Sequence, residues 1–494
     1  MTQRILPFQY EVEDKPSGMT AMGGLPLYLD MMQQMRLRDS IAENLKTRED
    51  SQGYTDVQMV TALMLLNLAG GDCVEDLRVL EGDDGFCRLL MKADDFSLNR
   101  KERRERCRRW RKESKRTVPS PSSVFRYLNG YHDVSQERQM GAWIPEPKDL
   151  NGFSRISKDM LGFLQKNRPV PTATLDMDAT LIESDKQEAL FCYKGFKGYQ
   201  PLNMWWSEQD VVVHTEFRDG NVPASFELLR FLKESIENLP SVEKVYLRSD
   251  TAGYEHKLLK YCNSGKSRFG RIEFAISCDV TPSFRSSVME TTKWNMLYKE
   301  FEGKLYPSNQ EWAEVCFIPN KAGFSKKDEP YRYIAIREVL YDQMPLPGLE
   351  EKDYPFPVMD MGKRYKVFGM VTNMVMEGGE LIRWQRKRCG KSEEAHSIMK
   401  TDFAGGRMPS DRFGANAAWW WIMILSLNLN SILKSLVLDK SYKTKRMKAI
   451  RFSLINIPAR IIEHARKLIV RLSNSFSSEI ILRARETIAM LQPA

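Results

Sequence analysis

Asp176-Met177-Asp178-Ala179-Thr180 sets two carboxylates two residues apart, with a hydroxyl two residues further on, at the end of a short apolar-rich run. Two chemistries use such an arrangement. In one, the first aspartate attacks a phosphoryl group and the second serves as general acid and base. In the other, an aspartate at the end of a buried strand joins distant carboxylates around a pair of divalent cations, about 3.5–4 Å apart, that cut phosphodiesters. The chain holds distant acids in suggestive settings, Asp250 after an apolar strand and Glu393 on a helical stretch.

The surrounding pattern separates the two. Thr172–Asp178 is a strand candidate, and Gly198–Trp206 with Val211–Phe217 forms a hairpin across residues 207–210. A turn at residues 218–221 leads to an amphipathic helix over Ser225–Leu239, whose apolar residues are Phe226, Leu229, Phe231, Leu232 and Ile236. Val242–Leu247 is the next strand, running into Arg248-Ser249-Asp250, and a further helix starts at Thr251. A phosphatase of the haloacid-dehalogenase type requires a doubly wound parallel sheet and a later acidic pair. Here a hairpin follows the motif, and Gly82-Asp83-Asp84 lies upstream of it. The order strand, hairpin, helix, strand instead matches a ribonuclease-H-like sheet, in which the first and fourth strands are neighbours and their terminal acids meet. Asp250 alone would read as a helix cap, and Glu393 alone as a solvated helix residue.

Bulk properties agree with a DNA partner. The 494 residues exceed one ordinary core, and 42% hydrophobic with 28% charged residues describes a globular chain. The net charge of +9 is unevenly placed. Residues 100–116 carry eleven Lys/Arg against three Glu, around Trp110, and residues 434–494 carry thirteen against four acids. A solvated helix face is the bland account of such a run, but the first is too one-sided for internal pairing. A short Ser-capped helix follows it, with Ser122, Ser123 and Arg126 near its start, as in the second helix of a helix-turn-helix. Arg104, Arg108, Arg109 and these three residues are the candidate DNA contacts of the first 165 residues. Further upstream, residues 25–95 read as helical, with Asp56 capping Val57–Leu68 and Gly70-Gly71 ending that helix. Eight scattered cysteines and five histidines argue against a zinc site or disulfide framework and for a reducing cytoplasm. No secretory leader is evident, and Ala417–Leu427 is too short to span a bilayer, so no membrane association is expected.

Taken together, Leu-Asp-Met-Asp178-Ala-Thr, Leu-Arg-Ser-Asp250-Thr-Ala-Gly-Tyr and Arg-Cys-Gly-Lys-Ser-Glu393-Glu-Ala-His-Ser-Ile-Met-Lys400 resemble the three motifs of a DDE transposase. The resemblance is to bacterial insertion-sequence enzymes of the YREK-type group, and covers about residues 55–470 with Gly405–Ser410 and Phe413–Trp421. It implies an α/β fold: a ribonuclease-H-like catalytic domain interrupted by a strand-rich insertion and flanked by helical N- and C-terminal regions. The corresponding segments are a helical DNA-binding region over 1–165, catalytic parts at 166–270 and 376–433, the insertion at 271–375 and a basic helical region at 434–494. Trp419–Trp421 are expected to pack beneath the catalytic sheet.

By the same resemblance Asp178, Asp250 and Glu393 are catalytic and hold two Mg2+ ions, with Mn2+ as a substitute. Asp178 fits the family pattern of Asp, any residue, then Ser or Thr; strand alternation leaves Asp176 on the same face, so periodicity does not exclude it. Glu393 and Lys400 keep the family spacing, nearly two helical turns, with His396 between them and Glu394 pointing elsewhere. Lys400 and Arg388 are the expected phosphate contacts. The pattern departs upstream: Cys389 stands where the family has its Arg, Arg388 is one residue off, and Trp384 is the nearest aromatic to the expected Tyr. The implied activity is cutting at terminal inverted repeats and joining 3′-OH ends to target DNA, as a homodimer bound to double-stranded transposon ends and target in a bacterial cytoplasm, at the nucleoid. The alternatives are a DNA-binding protein with a decayed site and, more distantly, the phosphatase.

Overall fold

A computed structural model describes residues 18–48, 53–96, 98–108, 116–136, 142–145, 150–319, 331–340, 357–360, 363–465, 467–473 and 475–494. The chain divides into two compact units, one of Met1–His132, Pro147–Ile156 and Thr401–Ala494, the other of Asp133–Glu146 and Ser157–Lys400. These divisions fall inside the Leu150–Asn167 helix and just after Lys400, not at the expected boundaries of 165 and 433.

The second unit is built on a mixed sheet. Strands β1 (Thr172–Ala179), β2 (Leu202–Trp206) and β3 (Val211–Glu216) are antiparallel neighbours. Helix α1 (Leu228–Asn238) then leads to β4 (Lys244–Ser249), which lies parallel beside β1, and β5 (Glu273–Cys278) lies parallel beside β4. The order across the sheet is thus β3-β2-β1-β4-β5. Both faces of β1 and β4 are buried, Ala173, Leu175, Met177, Val245 and Leu247 on one and Thr174, Asp176 and Arg248 on the other, as central strands covered on two sides require. Helix α1 starts three residues later than Ser225 because Glu227 takes a left-handed conformation, φ 49°, at its N-terminus.

Part of the expected insertion belongs to this sheet. β5 falls within 271–375 yet continues the parallel core. Strands β6 (Asn295–Phe301), β7 (Lys304–Val315), β8 (Arg332–Leu340) and β9 (Lys363–Thr372) extend the same sheet antiparallel, with β9 joining β5, rather than forming a sheet of their own. Helix α2 (Gly378–Arg386) covers that extension, burying Leu381 and Ile382 against Ala275, Leu297, Ile334 and Met370. It can approach because Gly378 lies on the Trp312 ring, where a Cβ would sit 2.2 Å from a ring carbon. Arg388 and the next helix, α3 (Lys391–Ser397), follow from this anchored position.

The first unit is helical around two segments buried on all sides, Asp56–Ala69 and Phe413–Leu436. Thr55, not Asp56, caps the former: its hydroxyl accepts from Gln58 N, and Gln58 Oε1 accepts from Thr55 N. Gly70, φ 104°, ends it as expected. The three tryptophans at 419–421 are buried, but in this unit, where their helix packs on Asp56–Ala69 and on Pro121–Asn129. The C-terminal stretch, expected helical, holds a hairpin of Ala459–His464 and Lys467–Leu472, to which Met19–Thr20 adds a third strand. Ile461, Ile462, Ile469 and Val470 favour strand through their β-branched side chains. No single described helix is long and apolar enough to cross a membrane.

Candidate active site

The two carboxylates of the first motif have different surroundings. Asp176 faces Arg248 across the β1–β4 pair and is buried. Arg248 Nε donates to Asp176 Oδ1 at 2.6 Å and Nη2 to Oδ2 at 2.7 Å, so both oxygens are held by one guanidinium. Arg248 also donates to Trp384 O at 2.8 Å and to Ser207 Oγ at 3.3 Å, and the Trp384 ring centroid is 5.0 Å away. Trp384, expected near a Tyr position, thus supports this buried ion pair. An oxygen held in this way is a poor nucleophile, which removes the basis of the phosphatase reading.

Asp178 stands two residues closer to the end of β1, and its side chain keeps 20% of its surface exposed. Met177 pairs with Ser249 in the parallel register, so Asp178 and Asp250 leave adjacent strands side by side. Asp250 Oδ1 accepts from Ala252 N at 3.0 Å and caps the 3-10 turn Thr251–Gly253. Burial pushes its carboxyl above the usual carboxylate range, and the negative charge of Asp178 pushes it further. The cap and the charge pair coexist on one residue.

Arg388 closes this site from the side. It is 7% exposed, and its Nη1 lies 3.0 Å from Asp178 Oδ2. Its Nε and Nη1 are buried without a well-aligned acceptor. Arg388, the expected phosphate contact, is a counter-ion to Asp178 in this structure. Lys400 lies on the π-helical turn Ile398–Asp402, half-buried, with Nζ 3.4 Å from Leu181 O, three residues past Asp178. Burial lowers its pKa, and the charge of Lys194 lowers it further.

The third acid is not gathered with the other two. Glu393 is exposed near the start of α3, which follows Gly390 at φ 83°, and no three His, Cys, Asp or Glu among the described residues are placed to hold a metal ion. Asp178 and Asp250 do fit hard divalent cations: both offer carboxylate oxygens, and they stand at the ends of adjacent strands, where each negative charge disfavours the other until a cation balances them.

His396 sits on the same helix among these groups. Burial, then Lys400 and Arg388, lower its pKa to about 4, with Glu393 acting in the opposite sense. The imidazole is neutral when folded at neutral pH. Because the unfolded chain protonates it near about 6.5, its contribution to stability is complete above that value and falls as pH drops toward about 4. A denaturation series between those limits is expected to show a shallower loss of stability in His396→Gln than in the parent protein.

Residues 9–493 match the family model described as transposase DDE domain group 1. The chain belongs to the DDE transposase family. No curated protein matches its sequence. A cryo-EM structure of a piggyBac transposase synaptic complex with hairpin DNA is similar over 95% of this chain and 84% of that chain, at 12% identity and a TM-score of 0.43.

The remaining candidate contacts of this transposase lie in the helical unit. Arg104 and Arg108 are exposed on the Arg100–Arg108 helix, while Arg109 falls outside the described residues. Pro121–Asn129 is a helix capped by Ser120, whose hydroxyl accepts from Ser123 N; Ser122 and Arg126 are exposed, and Arg126 Nε donates to Ser122 O. Arg248 is the main residue that sequence reasoning missed. Aligning Asp178 with Asp250 places Asp176 opposite Arg248, so the signal was present in the two motifs.

Proposed function

We propose that this chain cuts an insertion sequence at its terminal inverted repeats and joins the freed 3′-OH ends to target DNA, on a ribonuclease-H-like catalytic domain of the bacterial YREK type. The observation that carries the proposal is the pairing of Asp178 and Asp250 at the ends of adjacent parallel strands in a member of this family. The strand order β3-β2-β1-β4-β5 supports the ribonuclease-H-like assignment.

Asp178, Asp250 and, from the motif, Glu393 are the residues that would hold two divalent ions, Mg2+ with Mn2+ as a substitute. When bound, such a pair supplies activation of the attacking oxygen and stabilisation of the leaving oxygen. Arg388 balances the charge of Asp178 in the DNA-free protein, and the Lys400 ammonium offers a cation to a phosphate arriving beside β1. Neutral His396 adds no charge between them. The exposed Arg104, Arg108, Ser122 and Arg126, with the half-buried Ser123, are assigned to the repeat, where phosphate contacts supply most of the affinity. Synapsis of two ends calls for a homodimer.

The test is an end-labelled duplex carrying the element's own terminus, incubated with the protein and Mg2+, Mn2+ or EDTA. Nicking that frees a 3′-OH with either metal and stops with EDTA is the expected result. Binding without cleavage under every condition would identify a DNA-binding protein with a decayed site.

A further inference from the structure

Between β1 and β2 the chain does not turn directly. Residues 180–201 build a separate small sheet, Ile182–Glu183, Lys197–Tyr199 and Leu190–Phe191 in that order. Its backbones are close: a Cβ on Gly198 would lie 2.2 Å from Ile182 O, and one on Gly220 would lie 2.6 Å from both Gly198 O and Leu190 O. The tip is closed by Cys192 N donating to Phe196 O at 2.8 Å and Gly195 N donating to Cys192 O at 3.0 Å, with Gly195 at φ 85°. The tip is therefore held by its own hydrogen bonds.

What this rigid tip displays is unusual for a surface. Phe191 is 63% and Tyr193 76% exposed, far from the buried state that aromatic rings favour. Lysines accompany them: Lys197 Nζ is 6.0 Å from the Phe191 ring centroid and Lys194 Nζ is 5.9 Å from that of Tyr193. From Leu190 to Lys197 there are two lysines and no acid. The small sheet starts beside the candidate site: its first strand begins at Ile182, four residues past Asp178, and Lys400 Nζ lies 3.4 Å from the preceding Leu181 O. Open aromatic faces with adjacent cations suit unpaired nucleotides, whose bases stack and whose phosphates need neutralising.

We propose that the Leu190–Lys197 hairpin tip is a stacking platform for unpaired bases of the DNA strand at the cut, with Phe191 and Tyr193 holding bases and Lys194 and Lys197 their phosphates. The proposal rests on the transposase reading of Asp178 and Asp250. It assigns a binding role to a segment outside the three acidic motifs, and it makes local melting of the end part of substrate recognition.

The test compares binding of the full-length protein, in Ca2+ to withhold cleavage, to a matched terminal duplex and to the same duplex with three mismatched pairs at the cut. The wild type is expected to favour the mismatched end by about tenfold, as one or two stacked bases would give. Phe191→Ala with Tyr193→Ala abolishes that preference, whereas Tyr193→Phe retains it. A 2-aminopurine placed among the mismatches is quenched by wild type and Tyr193→Phe and not by the double alanine variant. Equal affinity for both duplexes in the wild type, or a preference that survives the double substitution, overturns the platform while leaving the cleavage reading intact. Failure of the wild type to bind or cut either duplex overturns the transposase reading itself. Loss of self-association in the double variant, with base preference unchanged, would make the tip a subunit contact and refute the proposal.

Discussion

Asp178→Ala and Asp250→Ala each lower strand cleavage on the order of a thousandfold, the loss of about 4 kcal/mol of transition-state stabilisation. The measurement is the single-turnover rate on an end-labelled terminus. The two carboxylates stand on neighbouring parallel strands, and Asp250 is buried with a second negative charge beside it. That arrangement is unfavourable in itself, and it is what a cation site requires. Removing either acid relieves the repulsion, so DNA affinity is expected to hold or rise while the rate collapses. Glu393→Ala should match them in rate, because the third motif assigns Glu393 to the same pair of cations. A Glu393 variant that cuts at the parent rate would remove it from the triad.

Asp176→Ala should lower unfolding stability by about 3–5 kcal/mol, leaving the Arg248 guanidinium buried without its carboxylate. In a unit of this size that corresponds to a fall in Tm of roughly 10 °C. Two short hydrogen bonds, 2.6 and 2.7 Å, join these side chains, which are 5% and 3% exposed. Asp178→Ala is expected to cost much less: Arg388 loses one partner, but the repulsion on Asp250 is relieved and Asp178 is partly solvated. The double change Asp176→Leu with Arg248→Met should recover more than half the loss, since a buried pair replaced by apolar groups of similar size is often neutral. Equal melting temperatures for Asp176→Ala and Asp178→Ala would show that the two carboxylates are not divided in this way.

The order strand, hairpin, helix, strand was legible because each element carries its own period and its own turn residues. Asp178 and Asp250 followed from that order, since acids that end the first and fourth strands meet when those strands are neighbours. The cap of the Asp56–Ala69 helix was misplaced by one residue because Thr55 and Asp56 both have capping side chains, and only the Gln58 contact separates them. The C-terminal hairpin was missed because a basic stretch with scattered aliphatics fits a helix as well as alternating strands.

The sequence by itself determined the motif acids, their order along the chain and the strands that carry them, because those depend on local periodicity. Tertiary structure alone decided which acid is locked in a buried two-bond pair and which stands partly exposed at the strand end. Asp176 and Asp178 share a strand and a residue type, and Arg248 distinguishes them from 72 positions away, through the register of β1 with β4. It likewise placed Arg388 against Asp178 and the tryptophan helix in the helical unit. Long-range charge pairing and the choice of which apolar faces meet leave no local period in a sequence.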